Sequence, residues 1–139
     1  MNHYTISELA IGMTESFTVE VTEEMQDKFT EISEDINPMH IDEEYAKNHG
    51  CKGRLVYGML TSSFYSRLAG VYLPGEHCIL HEVKSRFHNP VYIGDVLTVM
   101  GTVEEVHEAV RTIRIKAVIV NQDGQKVSQA MITAGVQEN

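Results

Sequence analysis

The stretch G-R-L-V-Y-G-M-L-T-S-S-F-Y-S-R-L-A-G-V-Y-L, residues 53–73, decides how this chain folds. It is the longest apolar run with helical spacing. Met59, Leu60, Ser63, Phe64, Arg67, Leu68 and Val71 include neighbours three and four apart, which share a helix face. Gly58, Thr61, Ser62, Ser63 and Ala69 are small. A mostly apolar helix carrying small residues is one buried on several sides. Pro74 and Gly75 stop it.

Downstream of residue 76 the pattern changes to period two and stays there. Residues 78–87 alternate loosely, and Asn89-Pro90 interrupts them. Residues 96–106 and 109–120 form two further strands, the second with Val110, Ile113, Ile115, Val118 and Val120 apolar. Asp123-Gly124 is a hairpin turn, and residues 126–136 make the last strand. Upstream, Phe17, Val19 and Val21 alternate in a short strand over 16–21. Thr22 caps a helix over about 22–33, with Glu23 and Glu24 in its first turn and Met25, Phe29 and Ile32 at helical spacing. Residues 33–41 show no period and read as a loop, with a turn at Asn37-Pro38. Asp42 caps a short helix over 43–48, which Gly50 ends.

One early strand, one long apolar helix and about four long strands in a meander make an α+β layout. A helix wrapped by a curved antiparallel sheet is the hot-dog architecture. Such a sheet leaves an edge or a face to cover, so at least a homodimer is expected.

The chain's 139 residues make one domain, residues 1–139, with no repeat or linker. With 42% hydrophobic and 22% charged residues, wholesale disorder is excluded. Eleven Lys and Arg against 20 Asp and Glu give a net charge of -9, with no basic stripe for a nucleic acid. No run of about 20 apolar residues spans a membrane. No signal peptide is evident at the start, and two cysteines, Cys51 and Cys78, read as free thiols. The expected location is the cytoplasm. The histidines show no zinc spacing, so no metal is expected.

Asp35, Asn37, Pro38 and His40 spell D-x-N-P-x-H. A carboxylate and an imidazole five residues apart across a rigid turn can converge on one water and do general acid–base work. The same pair also fits an Asx-turn aspartate and a surface histidine. A second motif shifts the balance. In R-L-V-Y-G-M-L, residues 54–60, a glycine begins the buried helix. Backbone N–H groups at a helix N-terminus are unpaired and can hold a developing oxyanion, and glycine lets a carbonyl approach closely.

With S-E-D-I-N-P-M-H-I-D at 33–42, L-V-Y-G-M-L at 55–60 and F-H-N-P-V-Y-I-G-D at 87–95, the chain resembles the MaoC-like dehydratases. Within them it resembles the short, single-hot-dog (R)-specific enoyl-CoA hydratases. The resemblance covers about residues 15–136. It implies Asp35 and His40 as the catalytic pair and the Gly58 amide as oxyanion donor. It implies Asn37 as the residue that orients loop or substrate, and Ser66 as an assisting polar residue. Many members carry His where this chain has Tyr57, which bears on substrate selectivity. The implied reaction is reversible hydration of a trans-2-enoyl-CoA thioester to an (R)-3-hydroxyacyl-CoA. Coenzyme A arrives with the substrate, and no separate cofactor is implied.

Coenzyme A brings phosphates, so Lys52 and Arg54 before the helix, and Lys84 and Arg86 along a strand, are candidate cationic neighbours. A solvated loop and strand face explain them equally well. The serines of the helix lack a G-x-S-x-G elbow and read as packing residues. Met59, Leu60, Phe64 and Ala69 read as core, with the lining of an acyl tunnel left open for one side of this helix. Three other activities stay open: a dehydratase acting on acyl carrier protein thioesters, a hot-dog thioesterase, and a non-catalytic acyl-CoA-binding module. D-x-N-P-x-H argues against the last two.

Overall fold

A computed structural model describes residues 1–138. Its strands are β1 (Thr14–Glu20), β2 (Cys78–Phe87), β3 (Val96–His107), β4 (Thr112–Val120) and β5 (Lys126–Val136). All pair antiparallel in one sheet of order β1-β3-β4-β5-β2. Alternation sets the faces. In β4, Ile113, Ile115, Ala117 and Ile119 are buried while Lys116 is exposed on the opposite face.

The buried face is filled by α4 (Gly58–Arg67) and the π-helical turn Leu68–Tyr72 that prolongs it. Leu60, Phe64, Tyr65, Leu68 and Ala69 are buried against the sheet. Gly101 of β3 faces Leu68 closely. A Cβ there would lie 2.7 Å from Leu68 Cδ2 and 2.9 Å from Ile115 Cγ2, so only glycine leaves room for the helix. Full burial of a side chain such as Leu68 contributes about 1.5–3 kcal/mol. Tyr65 reaches across to β5, where its hydroxyl bonds that of Ser128 at 2.7 Å, both fully buried. This is the hot-dog architecture expected from the sequence. The remaining helices, α1 (Glu23–Ser33), α2 (Pro38–Ile41) and α3 (Glu43–Asn48), lie between β1 and α4 in the chain.

Against the sequence reading, one helix start agrees and four details differ. The helix begins at Gly58, as the glycine motif foresaw; before it Val56 N–H bonds the Val91 carbonyl at 2.8 Å and Leu55 bridges Tyr92. Residues 38–41 are helical, because Asn37 caps them by accepting the Met39 N–H and Pro38 occupies the first helical position. Only β3, β4 and β5 form a meander; β2 adds beyond β5. The connection after β2 is spent elsewhere, with Val91 paired to Val56 and Gly94 N–H bonded to the Val21 carbonyl. The strand foreseen from residue 109 starts at Thr112, after a 3-10 turn over Glu108–Val110. Finally, Met59 and Ile32 are exposed, at 65% and 81%, and the buried residue of α1 is Gln26.

Candidate active site

Asp35 and His40 line one cavity of about 620 Å³ together with Tyr57 and Gly58. Its other walls are mostly apolar, including Phe29, Val56, Met59, Phe87, Val91 and Val127. A volume of this order suits a small-molecule site.

The D-x-N-P-x-H segment is shaped by its own short side chains. Ser33 Oγ accepts the Asp35 N–H at 3.2 Å, and Asp35 Oδ1 accepts the Asn37 N–H at 3.1 Å. Asn37 Oδ1 accepts the Met39 N–H at 3.0 Å. Asn37 thus shapes the turn and lies outside the cavity wall. The half-buried imidazole of His40 sits 2.7 Å from the Leu55 carbonyl through Nδ1. A carbonyl only accepts, so Nδ1 carries the hydrogen and Nε2 of the neutral ring is left as an acceptor.

Tyr57 is 2% exposed and supports both members of the pair. Its ring stacks on His40 with centroids 4.0 Å apart. Its hydroxyl donates to the Asp35 carbonyl and lies 2.8 Å from Thr30 Oγ1 of α1. The next residue, Gly58, opens α4 without a side-chain cap, so its N–H has no intrahelical acceptor. The Phe87 ring lies over it. A Cβ at Gly58 would stand 2.9 Å from Phe87 Cε1.

The cations before the helix turn away from the cavity. Arg54 Nε donates to the His40 carbonyl at 2.8 Å, and the guanidinium pairs with Asp27 at 2.8 Å and Glu23 at 3.5 Å. Lys52 lines a second, polar depression with Glu23, Glu43, Arg54 and Asp95. Ser66 is exposed on α4 and does not line the cavity. Among the described residues, no group of three His, Cys, Asp or Glu side chains could hold a metal, and no helix is long and apolar enough to cross a membrane.

Four contributors escaped the sequence reading: Gln26, Thr30, Leu55 and Phe87. Leu55 acts through its carbonyl, which no side-chain pattern reports. Gln26 and Thr30 lie on the inward face of α1, three residues before Phe29 and one after it. A polar residue in an apolar stripe was the available signal.

Among curated proteins, a mitochondrial 3-hydroxyacyl-[acyl-carrier-protein] dehydratase of Arabidopsis thaliana is 38% identical over 78 residues, 56% of this chain and 45% of that protein. An (R)-specific enoyl-CoA hydratase of Rhodospirillum rubrum is 35% identical over 101 residues, 73% of this chain and 69% of that one. Thus the match spans less than half of the Arabidopsis protein. Among solved structures, an unliganded R-hydratase from Pseudomonas aeruginosa superposes with a TM-score of 0.91 at 30% identity, over 97% of this chain and 86% of the other. The (R)-hydratase of Aeromonas caviae gives 0.89 at 26% identity, over 93% and 98%. Because residues 8–132 match the MaoC-like domain, and the fold and motifs agree with that match, the chain belongs to the MaoC-like domain family.

Proposed function

We propose that this chain is a hydro-lyase that hydrates trans-2-enoyl-CoA reversibly to (R)-3-hydroxyacyl-CoA. One observation carries the reading: Asp35 and His40 share an apolar cavity with the unpaired N-terminal amide of α4, and the Leu55 carbonyl fixes the tautomer of His40. The names of the hydratase relatives support it.

Asp35 and His40 Nε2 hold one water. As its hydroxyl adds to C3, the pair takes up its proton and delivers a proton to C2. Water is consumed and nothing else is released. The thioester oxygen gathers enolate charge, which the Gly58 N–H meets; losing one such donor typically costs about 100–1000-fold. The apolar walls accept the acyl chain. The (R) outcome follows the named relatives. Our reading includes a homodimer acting in the cytoplasm. The unpaired edge of β2, with exposed Ile79, Leu80 and Phe87, supports the dimer.

A second carrier is favoured by the Arabidopsis relative, whose name specifies acyl carrier protein. The test is loss of enoyl absorbance with crotonyl-CoA and with crotonyl-acyl carrier protein, for wild type, Asp35→Asn and His40→Ala. Fast loss only in wild type, with an (R) product, is expected. Released thiol without hydration would overturn the reading in favour of a thioesterase. Thioester binding without turnover of either carrier would overturn it in favour of a binding module.

A further inference from the structure

We propose that Gln26 is a positioning residue for His40, fixing the catalytic imidazole and the approach to α4 in one register; this rests on the hydratase reading above. Gln26 is fully buried, although it sits on a solvent-facing helix with neighbours Asp27 and Lys28 exposed. A buried amide is costly unless its hydrogen bonds are made. Here they are made to the site's own backbone. Nε2 donates to the His40 carbonyl at 3.2 Å and to the Leu55 carbonyl at 3.0 Å. Oε1 faces the Tyr57 N–H at 3.4 Å. The two carbonyls require donors, which fixes the orientation of the amide.

The choice of partners carries the argument. Leu55 O is also the acceptor of His40 Nδ1–H. One side chain therefore grips the backbone of the histidine and the group that sets its tautomer. Its third contact is the residue that stacks on the imidazole and precedes Gly58. Gln26 thus ties α1, the His40 turn and the segment leading into α4 at one point. Simple core filling needs none of this, since Met or Leu has similar bulk. Without Gln26 the His40 carbonyl keeps Arg54 Nε and the Leu55 carbonyl keeps His40 Nδ1, so of its three partners the Tyr57 N–H alone loses its bond. Folding is then retained while the shared anchor is lost. Displacement of a reacting group by about 1 Å can cost about 100-fold in rate.

The experiment compares wild type, Gln26→Met and the core control Ile119→Val. Readouts are melting temperature, kcat and KM on crotonyl-CoA, and side-chain ¹⁵N spectra of His40. Gln26→Met is expected to fold, to melt below the wild type by what one orphaned buried N–H costs, to lose about 10- to 100-fold in kcat and to keep KM within about twofold. Its His40 nitrogen signals should shift and broaden relative to the wild type, as the Nδ1–H ring and its Leu55 acceptor lose their single register. Equal kcat in Gln26→Met and the control, with unmoved nitrogen signals, would overturn the proposal. The two failures are separable. A wild type inert towards every enoyl thioester overturns the hydratase reading, and the nitrogen spectra, which need no turnover, still decide the role of Gln26.

Discussion

His40 has two ring nitrogens and a committed use for one of them, since Nδ1 is taken by the Leu55 carbonyl. On our reading only Nε2 of the ring exchanges a proton with a water in the cavity, so His40→Ala removes the imidazole's share of the acid–base work. We expect a loss of about 100–10,000-fold in kcat with little change in melting temperature, the range for one such group. Tyr57 is a finer probe. Tyr57→Phe keeps the ring against His40 and deletes the hydroxyl from the Asp35 carbonyl and Thr30. Stability should fall by about 1–3 kcal/mol, the net worth of two hydrogen bonds, measured by urea denaturation. kcat should fall more than KM rises, because the hydroxyl touches the loop that carries Asp35. The meeting of Asp35 and His40 in one cavity was legible in the sequence only with the glycine motif at Gly58 beside it, since the pair by itself also fits a turn and a surface histidine. The role of the Tyr57 hydroxyl was not, since its partners are a backbone carbonyl and a residue 27 positions away.

At the scale of elements, legibility followed length. Strands β2 to β5 each run nine residues or more, long enough for period two to declare itself. Helix α2 has four residues and no period to show. Its evidence was chemical, an Asn cap followed by proline, and that dipeptide also fits a turn. The helix–sheet contact at Tyr65 and Ser128 gives a sharper test. Burial pushes the Tyr65 hydroxyl up to about 12, with the Ser128 bond acting in the opposite sense, and burial alone pushes the Cys78 thiol up to about 11. Both groups ionise more readily in the unfolded chain. Between their unfolded and folded values the unfolded state therefore binds fewer protons, and stability falls as pH rises. Stability from Cys78 is complete below its ordinary value near 9 and lost through about 11; that from Tyr65 is complete below about 10 and lost through about 12. Denaturation followed over this range should show the loss, and Tyr65→Phe should flatten the upper part. At neutral pH the same variant should cost about 1–3 kcal/mol, because Ser128 Oγ loses its buried partner. A neutral Tyr65→Phe with an unchanged alkaline limb would mean that the contact carries neither effect.

On the scale of the whole molecule, the sheet closes on its helix but not on itself. Strand β5 has neighbours on both sides, whereas β2 has only β5. Alternate residues of the ten in β2 therefore present unpaired N–H and C=O groups along the outer edge. Natural proteins blunt such edges or pair them. Here the edge is long and carries apolar side chains, Ile79 at 47% and Leu80 at 41% exposed. Lys84 and Arg86 lie farther along the strand, exposed and outside every ion pair among the described residues. A net charge of -9 on each chain opposes association in general, so a dimer needs a specific apolar seam to overcome it. Residues 79 and 80 are the part of β2 that supplies one. Sedimentation of the wild type should give twice the chain mass. Ile79→Glu replaces a side chain already half open in the single chain, so its fold should change by no more than about 0.5 kcal/mol. In a dimer joined along β2 the same carboxylate is buried twice, once from each copy. The dissociation constant should then rise by at least about tenfold, equivalent to about 1.4 kcal/mol, and more at low salt than at high. A variant that folds and dimerises like the wild type at every salt concentration would place the seam elsewhere on the molecule. A wild type that sediments as a single chain would remove the dimer altogether.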